Sequence, residues 1–178
     1  WRITWGSLTD TVDQAFCLNP HLYYVNDAST TGDIFCTAAG NTQNYGIRPD
    51  LPVSSLARLL ELNTLKPGDT VYIDTGTYFS YENTILTSNS KGSSNAYVTI
   101  LGNPDPTNGT ILTSYSSITL LSLNGASYVT ITDLTFSNAS YGISQDGGGH
   151  CILSNLNIIG SSTAGIRLKT ESNLVTHC

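Results

Sequence analysis

Residues 129–136 read VTITDLTF. Strict strand alternation would put Val129, Ile131, Asp133 and Thr135 on one face. The apolar residues are instead Val129, Ile131, Leu134 and Phe136, so the period of two slips by one residue at Thr132-Asp133. The slip recurs. Residues 150–158, HCILSNLNI, and 173–178, NLVTHC, align with it, so that Ile131, Leu153 and Val175 fall 22 residues apart, as do Leu134, Leu156 and Cys178. A second set, Leu121, Ile143 and Ile166, follows at 22 and 23, with Gly142 and Gly165 beside it. A fixed period just above twenty residues marks a solenoid, in which each unit buries its apolar face only by stacking on its neighbours.

Each unit holds two or three short strands and no helix. The expected fold is therefore all-β: a parallel β-helix with coils of about 22 residues, like strands of successive coils pairing about 4.8 Å apart. The column at the slip is Asp133, Asn155, His177. Asn, Asp and His are the non-glycine side chains that best tolerate positive φ. A sharp bend between two strands needs one such residue, so this column reads as a structural corner, and Asp133 as geometry rather than catalysis.

Composition agrees. Charged residues make up 11 % of the 178 residues, and the formal net charge is −6. Val, Ile, Thr and Tyr dominate the apolar segments and favour strands. No basic stripe exists to displace counterions, which excludes a nucleic-acid partner. No apolar run approaches the roughly 20 residues of a membrane-spanning helix. Four cysteines (Cys17, Cys36, Cys151, Cys178) permit three pairings. A Cys17–Cys36 bridge would suit an extracellular protein, and Cys151 and Cys178 fall at inward positions of the repeat. Asn108-Gly109-Thr110 and Asn138-Ala139-Ser140 match the short glycosylation sequon.

Residues 1–20 show no period and read as a linker or the end of a preceding module. The β-helix is expected over 21–178. It starts with a short strand in HLYYVND, then a loop rich in Gly, Asn and Thr over 28–46. Asp27, Asp33 and Asn41 offer oxygen ligands for calcium there, but without the regular spacing of a calcium loop, and a surface loop is the plainer reading. Residues 53–63, VSSLARLLELN, carry the helix pattern, with Val53, Leu56 and Leu60 on one face, Ser54 or Ser55 as cap and Pro52 before it. Lys66-Pro67-Gly68-Asp69 ends it in a turn.

With these features in place, the chain resembles the right-handed parallel β-helix repeat proteins of the pectate-lyase-like superfamily. The resemblance is carried by Tyr23-Tyr24-Val25, Pro67-Gly68-Asp69-Thr70-Val71-Tyr72 and Gly76-Thr77-Tyr78. It implies that the helix caps the N-terminal end of the coil and that Asn stacks at corners. It also implies a secreted or cell-surface location of bacterial type, with further domains in the same chain. The repeat stops within a unit at Cys178, so the β-helix is expected to be truncated there.

Family enzymes that cleave uronate polysaccharides do so by β-elimination, with a cation or Arg on the sugar carboxylate and a base, often Lys or Arg, for the α-proton. In AGIRLK, residues 164–169, Arg167 and Lys169 point outward from one strand and are the candidate catalytic pair, with His150 near them. Asp146, Glu171 and Tyr141 are the candidate substrate-binding residues. The plainer alternative for Lys169 is a surface ion pair with Asp146 or Glu171. The Asp residues at 74, 105, 133 and 146 lie in different units and form no evident hydrolase pair. Gly147-Gly148-Gly149 reads as a flexible connector. No metal site or resident cofactor is evident beyond the calcium option. Three roles follow: a polysaccharide-facing binding or scaffold module, a polysaccharide lyase with its main catalytic coils beyond residue 178, and a purely structural adhesin rod.

Overall fold

The computed structural model describes residues 21–105 and 108–178. The linker expected over 1–20 lies outside the described residues, as does Cys17. Among the described residues fourteen strands, numbered in chain order, form three parallel sheets. Sheet A runs β1 (Leu22–Val25), β2 (Thr70–Ile73), β5 (Val98–Leu101), β8 (Val129–Thr132), β11 (Ile152–Ser154) and β14 (Leu174–Thr176). Sheet B holds β3 (Gly76–Phe79), β6 (Thr110–Thr113), β9 (Thr135–Ser137) and β12 (Asn157–Ile159). Sheet C holds β4 (Ile85–Thr87), β7 (Thr119–Asn124), β10 (Tyr141–Asp146) and β13 (Ala164–Leu168). From β2 onward the chain visits A, B and C in turn, then climbs one coil and repeats.

Register stacks like side chains into inward columns. Ile100, Ile131, Leu153 and Val175 are successive partners in sheet A. Leu112 and Phe136 pair in sheet B, followed by Ile158. Leu121, Ile143 and Ile166 do so in sheet C. Ile100, Ile131, Leu153, Phe136, Leu121 and Ile143 are fully buried. Each fully buried aliphatic side chain contributes about 1.5–3 kcal/mol, so these columns are the main stabilising feature of the coil. Val175 and Leu174 in β14 are exposed, since no described coil lies beyond them. Cys178, expected inside, is exposed for the same reason, whereas Cys151 is buried.

The corner between sheets A and B has the expected conformation. Asp133, Asn155 and His177 take φ of 58, 50 and 53°. The Asp133 carboxylate is engaged in the corner: Thr132 Oγ1 donates to Oδ2 at 2.9 Å and Asn155 Nδ2 donates to Oδ1 at 3.3 Å. One coil earlier the position is Gly102, where a Cβ would come within 2.4 Å of the Asp133 carbonyl oxygen. A second left-handed column, Tyr128, His150 and Ser172 (φ 56, 56 and 61°), turns the chain from sheet C back into sheet A.

The helix is shorter than its sequence pattern. α1 spans Leu56–Leu62, with Ser55 Oγ accepting from the Arg58 amide as N-cap. Val53 is not helical: it forms a parallel bridge to Val25, and its amide donates to the Tyr24 carbonyl. Extension of sheet A therefore takes the first residues of the expected 53–63 helix. Leu56 and Leu59 insert into the core below the first coil, and α1 packs beside β4.

Ahead of the helix, the loop is tied to the coil by Asp74. Its buried carboxylate accepts from the amides of Ile34, Phe35, Cys36 and Thr75. The Gly147–Gly149 segment is also more than a flexible connector. All three have positive φ, and a Cβ on Gly148 would lie 2.0 Å from the Ala126 carbonyl oxygen.

Candidate functional site

The outer face of sheet C carries the residues singled out for chemistry. Register sets Arg167 of β13 opposite Ser144 of β10. Arg167 donates from Nε and Nη2 to Ser144 Oγ at 3.0 and 2.8 Å. Its guanidinium also lies 4.5 Å from the centre of the Tyr141 ring. A guanidinium over an aromatic face contributes about 0.5–1 kcal/mol at exposed sites. Arg167 is thus held flat on the sheet by a hydroxyl and a ring. Not all its donors are spent on Ser144, and a guanidinium carries five N–H groups.

Lys169 is placed differently. Its Nζ sits 2.8 Å from Asp146 Oδ2, with both side chains about half exposed. The hydrogen bond and charge of Lys169 hold the Asp146 carboxyl below the usual carboxylate range. This is the surface ion pair of the plainer reading. An ammonium held by a carboxylate is the acid form, whereas proton abstraction requires the neutral amine.

His150 does not join either pair. Its ring stacks on Tyr128 at 4.8 Å with an interplanar angle of 3°, and Tyr97 meets Tyr128 edge-on at 5.6 Å. These three occupy a ladder at the C-to-A turn. Glu171 is exposed in the turn after β13, where its carbonyl faces Gly149. The structure therefore brings together Arg167 with Tyr141, and Lys169 with Asp146. It leaves His150 and Glu171 outside both.

At the N-terminal loop proposed for calcium, each of the three candidate side chains has one oxygen engaged locally. Asp27 Oδ1 accepts from the Ser29 amide, Asp33 Oδ2 from Asn26 Nδ2, and Asn41 Oδ1 from the Gln43 amide. No group of three His, Cys, Asp or Glu side chains able to hold a metal ion occurs among the described residues. Burial, together with the nearby Asp74 and Asp27 carboxylates, raises the Asp33 carboxyl, against the lowering effect of Asn26. The Cys36 thiol is buried against the Val25 carbonyl, and burial first, then Asp74, pushes it well above the usual thiol range. No disulfide forms among the described cysteines; Cys36 carries a free thiol.

One grouping escaped the sequence reading. Asp105 and Asp133, assigned to different units, line one cleft of about 410 Å³ at the A-to-B corner, together with Asn103, Asn155 and Asn157. Successive coils lie a single strand spacing apart, so residues from different units become neighbours. The repeat spacing of 133 and 155 was the available signal. Asp105 sits in an inserted loop with no counterpart in the repeat.

A family model described as right handed beta helix region matches residues 116–178. The chain has the fold of a right-handed parallel β-helix. The matched segment begins just before β7 and contains the coils whose 22-residue period is regular. Outside it, β1 to β6 continue the same β-helix with longer inserted loops. Among solved structures, the β-helix resembles the native GH136 lacto-N-biosidase from Eubacterium ramulus, with a TM-score of 0.47 and 16 % identity over 94 % of this chain. The chain spans 32 % of the length of that protein. No curated protein matches it. Among the described residues no helix is long and apolar enough to cross a membrane.

Proposed function

We propose that this β-helix is a polysaccharide-facing binding or scaffold module of a secreted or surface-attached protein, and that its sheet C face contacts an acidic sugar. One observation carries the reading: Arg167 is pinned over Tyr141 and Ser144 with donors left over. This gives a preorganised cation beside an aromatic ring, the pairing that suits a uronate carboxylate next to an apolar sugar face. Preorganisation matters because little side-chain freedom is then lost on binding. Lys169, committed to Asp146, supports binding over elimination chemistry.

Affinity electrophoresis of the protein in gels containing polygalacturonate, alginate or hyaluronan tests this, with ultraviolet absorbance of the same mixtures followed in parallel. Retardation without unsaturated product, reduced severalfold by Arg167→Ala, is the expected result. Absorbing product that disappears in Arg167→Ala would establish a lyase instead. Unretarded migration in all three gels would leave a structural rod as the better account.

A further inference from the structure

A second surface, away from Arg167, has a different chemistry. Phe79 ends β3, and Tyr81 and Tyr115 lie in the loops that join sheet B to sheet C in two successive coils. Their rings form one group: Phe79 is 5.1 Å from Tyr115 and 6.5 Å from Tyr81, centre to centre. They are 46 %, 79 % and 84 % exposed for Phe79, Tyr81 and Tyr115. Single exposed aromatics are ordinary, but three in contact on an outer surface need an explanation.

Beside Tyr115 runs a cleft of about 330 Å³ whose polar lining is Ser116, Ser117, Asn138 and Ser162, with Gly160 and Ala139 completing it. None of these residues is charged. Glu82 follows Tyr81 but does not line the cleft. The walls are fixed by the coil backbone. The Ser114 amide donates to the Ser137 carbonyl at 3.3 Å, and the Ser162 amide to the Ala139 carbonyl at 2.9 Å. The loops that carry Tyr115, Asn138 and Ser162 thus stack one on another at the strand spacing of about 4.8 Å.

From these features we infer a subsite for a neutral saccharide, with the Phe79–Tyr115 rings as the stacking platform and Ser116, Asn138 and Ser162 as hydrogen-bonding partners. A neutral sugar ring presents an apolar C–H face with hydroxyls around its edge, and this surface offers an aromatic face with hydroxyls and an amide beside it. A charged ligand would find no counter-charge among the lining groups. A peptide helix would need an apolar groove rather than a hydroxyl-lined one. The inference deepens the carbohydrate-facing reading by naming a neutral class for this face, but it does not use Arg167.

The test is isothermal titration of the whole chain with neutral hexasaccharides of glucose, xylose, mannose and galactose, and with hexagalacturonate as the acidic probe. At least one neutral probe is expected to bind. Tyr115→Ala, at an exposed position where the melting temperature should not change, should weaken that binding about tenfold. Raising salt from about 0.05 to about 0.5 M should leave it unaltered, since no charges meet. Hexagalacturonate binding should survive Tyr115→Ala and fall in Arg167→Ala. Absence of binding to every neutral probe, or equal neutral affinity in Tyr115→Ala, overturns the subsite. Loss of the acidic arm alone overturns the Arg167 reading and leaves this subsite standing.

Discussion

Asn155 donates from Nδ2 to Asp133 Oδ1 at 3.3 Å, and the two residues share a left-handed backbone conformation 22 positions apart. The corner is therefore held by backbone preference and by a side-chain ladder at once. Asn155→Ala should cost about 1–2 kcal/mol in urea unfolding, because an ordinary L-residue resists positive φ. Asn155→Gly should lose much less, because glycine adopts that conformation freely. Equal losses would show that the ladder bond, not the backbone, holds the corner.

Asp74 sets up a stronger dependence. Asp74→Ala leaves the amides of Ile34, Phe35, Cys36 and Thr75 without their acceptor. Each buried amide left unpaired costs about 1–3 kcal/mol. The expected outcome is a loss of at least about 3 kcal/mol and new thermolysin cleavage beside Ile34 and Phe35. Wild-type resistance in Asp74→Ala would contradict this.

Asp33 supplies a pH dependence. Burial, followed by the Asp74 and Asp27 charges, raises its carboxyl, against the bond from Asn26. One of its oxygens, Oδ1, is buried with no hydrogen-bond partner among the described residues. A carboxyl whose folded pKa lies above its unfolded one stabilises the fold below the unfolded value, and that stability is lost as pH rises through the folded pKa. Asp33→Asn keeps an oxygen for Asn26 and has no charge to bury. It should raise the melting temperature at about pH 7 and change it little near pH 3. A lower melting temperature at neutral pH would show that the charge is needed.

The two neighbouring glycines of the C-to-A turn should separate cleanly. A Cβ on Gly147 meets nothing nearer than 3.5 Å, whereas one on Gly148 would lie 2.0 Å from the Ala126 carbonyl oxygen. Both have positive φ. Gly147→Ala should cost about 1–2 kcal/mol from backbone strain alone. Gly148→Ala should cost more than about 3 kcal/mol, or prevent folding, because backbone must move. Thermal and urea unfolding of the pair decide it.

The C-terminal coils were legible because nothing interrupts their period. Ile131, Leu153 and Val175 announce their own register, and the slip at Asp133 announces a corner. The N-terminal coils hide theirs behind insertions: Ile100 pairs with Ile131 at a separation of 31, and Val71 with Ile100 at 29. Strands β3, β4 and β6 consequently carried no repeat signal. Val53 fitted the helical face by spacing, yet pairing with Val25 outweighed it. The site was legible only where it followed the repeat. Lys169 and Asp146 are 23 apart and do meet, but His150 was drawn off by the Tyr128 ring. Tyr81 and Tyr115 are 34 apart and belong to loops of unequal length, so only three dimensions bring both to Phe79.

The Asp74 clasp also has a meaning in time. The amides of residues 34–36 leave the ribosome first, and the carboxylate that receives them follows 38 to 40 residues later. Closing a loop of that length has an entropic cost that the bonds repay only once β2 has set Asp74 in place. The segment nearest the start of the coil thus gains its acceptor only after residue 74 has been made. It waits, as unpaired backbone, for a strand that has yet to be made.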